Sequence, residues 1–340
     1  MRILEVEANR ATKCRILLGE SISRLKEYCG GRRTIIVADP MIVKLYGEKL
    51  KGFEIVETGM GEEEKTLETV EKLYSRFLEL GLDRNSFVVG IGGGIACDIA
   101  GFAASTYLRG IGFGFAPTTL LAQVDASVGG KNGVNYRGYK NLIGTFNQPE
   151  FVLCDFELLK TLPPRQVSCG FAENIKCAAI ANRELFEYLE GKGEELLKLE
   201  RPVIEKAVYD SLAVKAGIVA RDEREQGERR KLNFGHTLGH AYEKVLGIPH
   251  GEAISIGMVA AAKLSVRRGM LKQGEADRLE NLLAAVGLPT SAEASKDALL
   301  DAMLKDKKRE EAKINFVLLR GLGDAQVVEM GMEELEALLG

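Results

Sequence analysis

The sequence predicts two unlike parts in series: an α/β domain with a mostly parallel sheet over residues 1–161, then an all-α domain over 162–340. Three observations lead there. A chain of 340 residues exceeds the size at which a single hydrophobic core keeps growing, so two domains are the starting expectation. In the first half, short continuous apolar runs alternate with helical stretches, the pattern of parallel strands covered on both faces. From Leu162-Pro163-Pro164 onward, long amphipathic stretches dominate.

Taken in order, Thr34-Ile35-Ile36-Val37-Ala38-Asp39 is a buried strand, rich in β-branched residues and ending in an acid. Residues 63–80 carry apolar side chains near helical spacing. Phe87-Val88-Val89-Gly90-Ile91 reads as a second buried strand that turns at Gly92-Gly93-Gly94 into an apolar helix. Gly112–Ala116 and Phe151–Cys154 extend the strand pattern. Helices are then expected over 171–190, 193–221, 235–246, 251–269 and 274–286, with Lys305–Lys313 a short charged loop. No internal repeat or low-complexity segment interrupts the chain.

Composition narrows the function. Apolar residues at 46% and charged residues at 28% describe an ordinary globular protein. Lys and Arg number 46 against 49 Asp and Glu, a net charge of −3 that offers no basic surface to a nucleic acid. The six Cys include no C-x-x-C pair, and their apolar or helical settings predict reduced, buried thiols. The opening Met1-Arg2-Ile3-Leu4-Glu5 has charges where a secretory signal needs an apolar core. Ser86 to Leu108 carries one charge, Asp98, but its five Gly and its change of period suit a strand, turn and helix rather than a membrane span. A cytoplasmic protein without membrane contact is expected.

Three constellations carry chemistry. A strand ending at Gly92-Gly93-Gly94 and entering a helix presents backbone N–H groups at a positive helix end, which suits a pyrophosphate, and Asp39 at a neighbouring strand end suits ribose hydroxyls. The G-x-G-x-x-G pattern starting at Gly90 fails at Ile95, so on its own this is equally well a tight strand-to-helix turn. The chain's three His, at 236, 240 and 250, fall within fifteen residues. Imidazoles with a carboxylate suit a catalytic zinc-type cation with an open position; the plainer reading is a helix with satisfied core histidines. Spacing alone favours His236 and His240 as the chelating pair. Finally, polar residues sit in apolar or glycine-rich settings: Asp125 and Lys131 around a Ser-Val-Gly-Gly run, Lys140-Asn141, Glu173 with Lys176 one helical turn on, and Arg229 with Asn233 before His236. Taken singly, each reads first as a surface or capping residue; together, cations on separate segments suit a polyanionic small molecule.

At these residues the sequence resembles the 3-dehydroquinate synthases of the sugar phosphate cyclase superfamily, from about residue 34 to 320. The resemblance rests on Gly92-Gly93-Gly94 with Asp98, Tyr107-Leu108-Arg109-Gly110, Pro117-Thr118-Thr119-Leu120-Leu121-Ala122 and Val124-Asp125-Ala126-Ser127-Val128-Gly129-Gly130-Lys131. It continues through Lys140-Asn141, Ala172-Glu173-Asn174-Ile175-Lys176, Leu232-Asn233-Phe234-Gly235-His236-Thr237, His250-Gly251-Glu252 and Asp306-Lys307-Lys308.

The resemblance implies an N-terminal nucleotide-binding domain, a helical C-terminal domain, an active site in the cleft between them, NAD and a divalent metal (Zn2+ or Co2+) as cofactors, and a homodimer. It implies conversion of 3-deoxy-D-arabino-heptulosonate 7-phosphate to 3-dehydroquinate and phosphate, in which a transient oxidation acidifies a C–H so that phosphate can leave by β-elimination. Carried over by position, the metal ligands are Glu173, His236 and His250, which displaces the spacing-based pair and leaves His240 as a catalytic imidazole. Lys131, Lys176, Lys215, Asn233 and Glu225 match further catalytic positions. Asp125, Asn141, Arg229 and one of Lys307 or Lys308 match substrate contacts, and Arg109 matches an arginine that reaches the substrate phosphate across the dimer. Asp39, Glu62, Lys65, Gly93, Gly94, Asp98, Thr118, Thr119, Lys140 and Thr161 match cofactor positions.

Two departures stand out. Cys97 occupies a position where the family commonly has Gly, and residues 132–139 differ from the usual small-residue and Pro-Leu-Gly pattern. The rival activities are another sugar phosphate cyclase, such as one acting on sedoheptulose 7-phosphate, and a metal-dependent alcohol or glycerol dehydrogenase. Arg229, Asn233 and Asp306-Lys307-Lys308 favour a substrate that bears a carboxylate.

Overall fold

A computed structural model describes residues 2–8, 12–306, 313–331 and 334. The chain forms two compact units, Met1–Leu162 and Pro163–Gly340.

In the first unit, seven strands make one sheet: β1 (Arg2–Ala8), β2 (Thr12–Leu18), β3 (Thr34–Ala38), β4 (Glu54–Glu57), β5 (Phe87–Gly92), β6 (Gly112–Pro117) and β9 (Phe151–Cys154), in the order β1-β2-β9-β6-β5-β3-β4. Only the β1–β2 pair is antiparallel. The expected strands are the central ones, and β5 is buried at every position, as a parallel strand covered on both faces must be. The edge strands β1 and β4, and β2 next to β1, are not evident in the sequence because charges interrupt their apolar residues; β4 is only Glu-Ile-Val-Glu. Helices α1 (Leu25–Tyr28), α2 (Pro40–Tyr46), α3 (Leu67–Glu79) and α4 (Gly94–Thr106) accompany the sheet. Phe87 and Phe151 stack at 5.8 Å in a core shared with Ile36, Val89, Ile91 and Leu153. A separate antiparallel hairpin, β7 (Lys131–Tyr136) and β8 (Tyr139–Phe146), packs on α4 and was not foreseen.

Helices dominate the second unit: α5 (Pro164–Ala181), α6 (Arg183–Glu190), α7 (Gly193–Leu197), α8 (Arg201–Arg221), α9 (His236–Leu246), α10 (His250–Arg267), α11 (Gln273–Ala285) and α12 (Lys296–Asp306). The stretch expected as one helix over 171–190 breaks at Asn182, whose side chain accepts from the Leu185 N–H at 2.9 Å and caps α6. The expected 193–221 helix breaks at Leu199, which adopts φ 54°.

The expectation of an all-α second part needs one correction. β10 (Lys313–Gly321) and β11 (Asp324–Gly331) form an antiparallel hairpin. The Leu319 N–H donates to Ser265 Oγ of α10 at 3.0 Å. Residues Phe316 to Leu319 are all buried, so β10 lacks the polar alternation that marks a strand in sequence. Lys307 and Lys308 lie outside the described residues. All six Cys are free and buried, and burial pushes the Cys97 and Cys154 thiols up. Among the described residues, no helix is long and apolar enough to cross a membrane.

Candidate active site

The glycine turn is dictated by packing as well as by φ. A Cβ on Gly90 would lie 2.8 Å from the Ala100 Cβ, so glycine there lets α4 press onto β5. A Cβ on Gly93 would come 3.3 Å from Thr119 Cγ2, and one on Gly94 would come 3.0 Å from Ala126 Cβ. The open backbone forms a cradle that a side chain would fill, at the N-terminus of α4 and the carboxyl end of β5, which suits a pyrophosphate. Thr118 is buried and its N–H donates to Gly92 O at 2.8 Å; Thr119 Oγ1 accepts from the Ala122 N–H at 3.1 Å. Asp125 follows on a single π-helical turn, Ala122–Ala126, a distortion often found at functional sites.

Asp39 has a local duty that the sequence reading omitted. Its Oδ1 accepts from the Ile42 N–H at 3.0 Å and caps α2, which fixes the carboxylate at the strand end. Thr161 Oγ1 lies 2.5 Å from the Tyr46 hydroxyl. Lys65, 5% exposed, reaches Asp98 Oδ2 and Asn141 Oδ1, each at 2.5 Å. Asn135, which the sequence reading passed over, joins them: its Nδ2 donates to Glu62 Oε1 and its Oδ1 accepts from the Asn141 N–H, both at 2.8 Å. Lys131 and Lys140 are exposed on the hairpin. Arg109 is exposed at the end of a turn, with φ 70°.

In the second unit, Glu173 of α5 is fully buried and its carboxylate pairs with the equally buried Lys176 ammonium. Glu173 Oε1 faces His250 Nε2 at 3.4 Å and His236 Nε2 at 3.7 Å. A cation bound through bonds of about 2.0–2.1 Å in tetrahedral geometry separates its ligand atoms by roughly 3.3–3.5 Å, so these three groups fit one. Each imidazole is oriented from behind. His236 Nδ1 lies 3.1 Å from Phe234 O, and His250 Nδ1 lies 3.1 Å from Glu243 Oε2. Both rings therefore turn Nε2 toward Glu173.

The resemblance already displaces the spacing-based pair of His236 and His240, and the geometry turns His236 and His250 toward Glu173. His240 groups instead with Glu243 and His250 in a second constellation that shares His250. Its ring stands 5.2 Å from that of His236. Glu243 was missed although its position, three residues after His240 on one helix face, was a usable signal.

Close helix packing makes this possible. A Cβ on Gly251 would lie 2.3 Å from the Cys169 carbonyl oxygen, and one on Gly239 would lie 2.8 Å from Ile254 Cδ1. Glycine lets α10 approach α5 and α9 closely enough to converge Glu173, His236 and His250. Burial and the neighbouring Lys176 charge hold the His236 pKa well below its ordinary value. Burial also opposes charge on His250, but its hydrogen bonds with Glu173 and Glu243 outweigh that and carry it up to about 9.

Lys215 of α8 is buried. Arg229, 3% exposed, sits in the turn Glu228–Asn233; its N–H donates to Asp222 Oδ2 at 3.0 Å and its guanidinium to the Glu223 carbonyl. Asn233 Nδ2 donates to Glu225 Oε1 at 2.5 Å, and Glu225 adopts φ 59°. Non-glycine residues with positive φ are uncommon and gather at functional sites. Arg109, Asn141 and Glu225, all chosen from sequence, are among the few described here.

The chain as a whole is similar to known proteins. The family model described as 3-dehydroquinate synthase N-terminal matches residues 55–169, and the model described as 3-dehydroquinate synthase C-terminal matches 170–309. A 3-dehydroquinate synthase of Pelotomaculum thermopropionicum is 46% identical over 89% of this chain and 85% of its own length. Another, of Pelobacter propionicus, is 39% identical over 100% of this chain and 99% of its own. Among solved structures, 2-deoxy-scyllo-inosose synthase in complex with carbaglucose-6-phosphate, NAD+ and Co2+ superposes with a TM-score of 0.90 at 27% identity, covering 99% of each chain. The 2-epi-5-epi-valiolone synthase of Streptomyces hygroscopicus, with NAD+ and Zn2+ bound, reaches 0.88 at 28% identity over 100% of this chain and 97% of that one. A probable glycerol dehydrogenase of Sinorhizobium meliloti, at 18% identity with a TM-score of 0.68 over 95% and 94% of the two chains, shares the fold alone. With the two family models together matching residues 55–309 and relatives 39% and 46% identical along most of their length, the chain belongs to the 3-dehydroquinate synthase family.

Proposed function

We infer that the chain converts 3-deoxy-D-arabino-heptulosonate 7-phosphate to 3-dehydroquinate and phosphate, with NAD on the first unit and one divalent cation at Glu173, His236 and His250. The observation that carries this reading is the buried Glu173 carboxylate facing two oriented imidazole nitrogens at 3.4 and 3.7 Å in a chain of this family. When bound, NAD supplies a reversible hydride acceptor and the cation supplies a Lewis acid for the substrate hydroxyls.

The chain's own residues do the rest. Arg229 presents a planar fork to the substrate carboxylate, already steadied by the Glu223 carbonyl. Lys176 and Lys215, both buried, hold substrate oxygens in a low-dielectric setting where a cation acts strongly. Glu225 holds the Asn233 amide in place through the hydrogen bond at 2.5 Å. The His240 ring exchanges protons at a substrate oxygen. On the first unit, Gly92–Gly94 receive the pyrophosphate, and Asp39, Glu62, Lys65, Asp98, Thr118, Thr119, Lys140 and Thr161 surround the remainder of the dinucleotide. Asp125, Lys131 and Asn141 belong to the substrate side.

The enzyme works as a cytoplasmic homodimer in this reading, with the exposed Arg109 contributing to the partner's phosphate site. One experiment decides the activity: incubation with the heptulosonate phosphate, NAD+ and zinc, following phosphate release. Stoichiometric phosphate without accumulated NADH is the expected result. NADH accumulating from a simple alcohol, with no phosphate released, would instead mark a dehydrogenase.

A further inference from the structure

We propose that Asn135 is a positioning residue that couples the cofactor-side residues Glu62 and Lys65 to the substrate-side residue Asn141. The inference rests on the placement of those residues given above and adds a member that the family resemblance did not supply.

Asn135 lies in the β7–β8 hairpin where the register shifts between Val134 and Tyr136, so the ladder passes over it. A bulge of this kind re-aims a residue away from the regular pairing. Freed from the ladder, its backbone N–H donates to the Lys65 carbonyl at 2.8 Å. Its side-chain amide then uses both ends: Nδ2 donates to Glu62 Oε1 at 2.8 Å, and Oδ1 accepts from the Asn141 N–H at 2.8 Å. Asn141 adopts φ 52°, the left-handed region that asparagine enters more readily than most residues, and its Oδ1 accepts from Lys65 Nζ at 2.5 Å. The result is a closed circuit from Lys65 through Asn135 to Asn141 and back to Lys65, with Glu62 attached and Asp98 holding the same ammonium at 2.5 Å. Only a side chain with a donor at one branch and an acceptor at the other completes it.

The circuit separates by substitution. Asn135→Ala removes both side-chain bonds, whereas Asn135→Asp keeps an acceptor for Asn141 and sets a carboxylate against Glu62. Both variants are prepared as full chains with zinc. NAD+ affinity is measured by calorimetry without substrate, KM and kcat with the heptulosonate phosphate, and folding by thermal melting. Losing a hydrogen bond to a charged group is expected to weaken NAD+ binding by about tenfold or more in both variants. KM for the sugar phosphate is expected to rise by about tenfold in Asn135→Ala but by less than about twofold in Asn135→Asp, because the Asn141 contact survives there.

A purely structural residue would move both constants in Asn135→Asp as well as in Asn135→Ala, in step with the melting temperature, and that result overturns the proposal. So does Asn135→Ala with both constants within about twofold of wild type. Should Asn135→Ala fail to fold, Asn135→Asp decides: NAD+ affinity unchanged in it overturns the coupling. Lys65→Ala separates this failure from failure of the wider reading. If that variant keeps full NAD+ affinity, the placement of the cofactor is wrong and the proposal falls with it.

Discussion

His250 Nδ1 lies 3.1 Å from Glu243 Oε2, while Nε2 of the same ring faces Glu173 Oε1 at 3.4 Å. One carboxylate thus orients the ring that another carboxylate meets. Outer carboxylates of this kind fix the tautomer and raise ligand basicity, and their loss typically costs about 10- to 100-fold in metal affinity. Glu243→Ala is therefore expected to weaken zinc binding by about that factor, and Glu243→Gln by less. Competition with a chromogenic chelator measures both. Unchanged affinity in Glu243→Ala would show that the ring needs no such support.

Glu173 and Lys176 form a buried ion pair with side chains 0% and 2% exposed. Removing one partner strands the other, at a cost of about 3–5 kcal/mol. In the metal-free protein, Glu173→Gln should lower stability by roughly that amount, and adding Lys176→Met should restore much of it. Denaturant melts of the single and double variants check this. Equal stabilities of wild type and Glu173→Gln would mean that the pair is well hydrated.

Gly251 stands against the Cys169 backbone, where an added Cβ would meet the carbonyl oxygen at 2.3 Å. Gly251→Ala should force α10 away from α5, costing about 1–3 kcal/mol through overpacking. It should also weaken zinc binding, although residue 251 offers no ligand atom. A variant with normal metal content would show that the helices yield without disturbing Glu173 and His250.

If Arg229 receives the substrate carboxylate as proposed, its loss should separate a carboxylate-bearing substrate from analogues that lack the carboxylate. Losing a desolvated charged contact costs roughly 2–5 kcal/mol, which is about 30-fold to several thousandfold in kcat/KM. Arg229→Leu should lose that much with the heptulosonate phosphate while binding metal normally. The control is sedoheptulose 7-phosphate, which lacks the carboxylate. Wild type preferring that sugar, or a variant with full activity, would assign the chain to another sugar phosphate cyclase.

The sequence by itself determined whatever rests on local pattern. The buried strand Phe87–Gly92 and its glycine turn into α4 are legible because a continuous apolar run and three successive Gly leave few alternatives. The clustering of His236, His240 and His250 was equally plain, and the family motifs named Glu173. Tertiary structure decided the rest. Spacing on one helix pairs His236 with His240 and the family motifs substitute Glu173 and His250, but that these groups meet is a matter of packing: a carboxylate on α5, more than sixty residues earlier, faces both His236 and His250 of α10. That meeting depends on how closely three helices approach, which Gly239 and Gly251 allow but which no period in the sequence reports. Asn135 stayed hidden for the same reason, whereas the helical spacing of Glu243 from His240 was legible but its contact with His250 was not. Each acts through a side chain brought near it by packing, and a short polar residue in a hairpin or on a helix face looks like surface until its partners are in place.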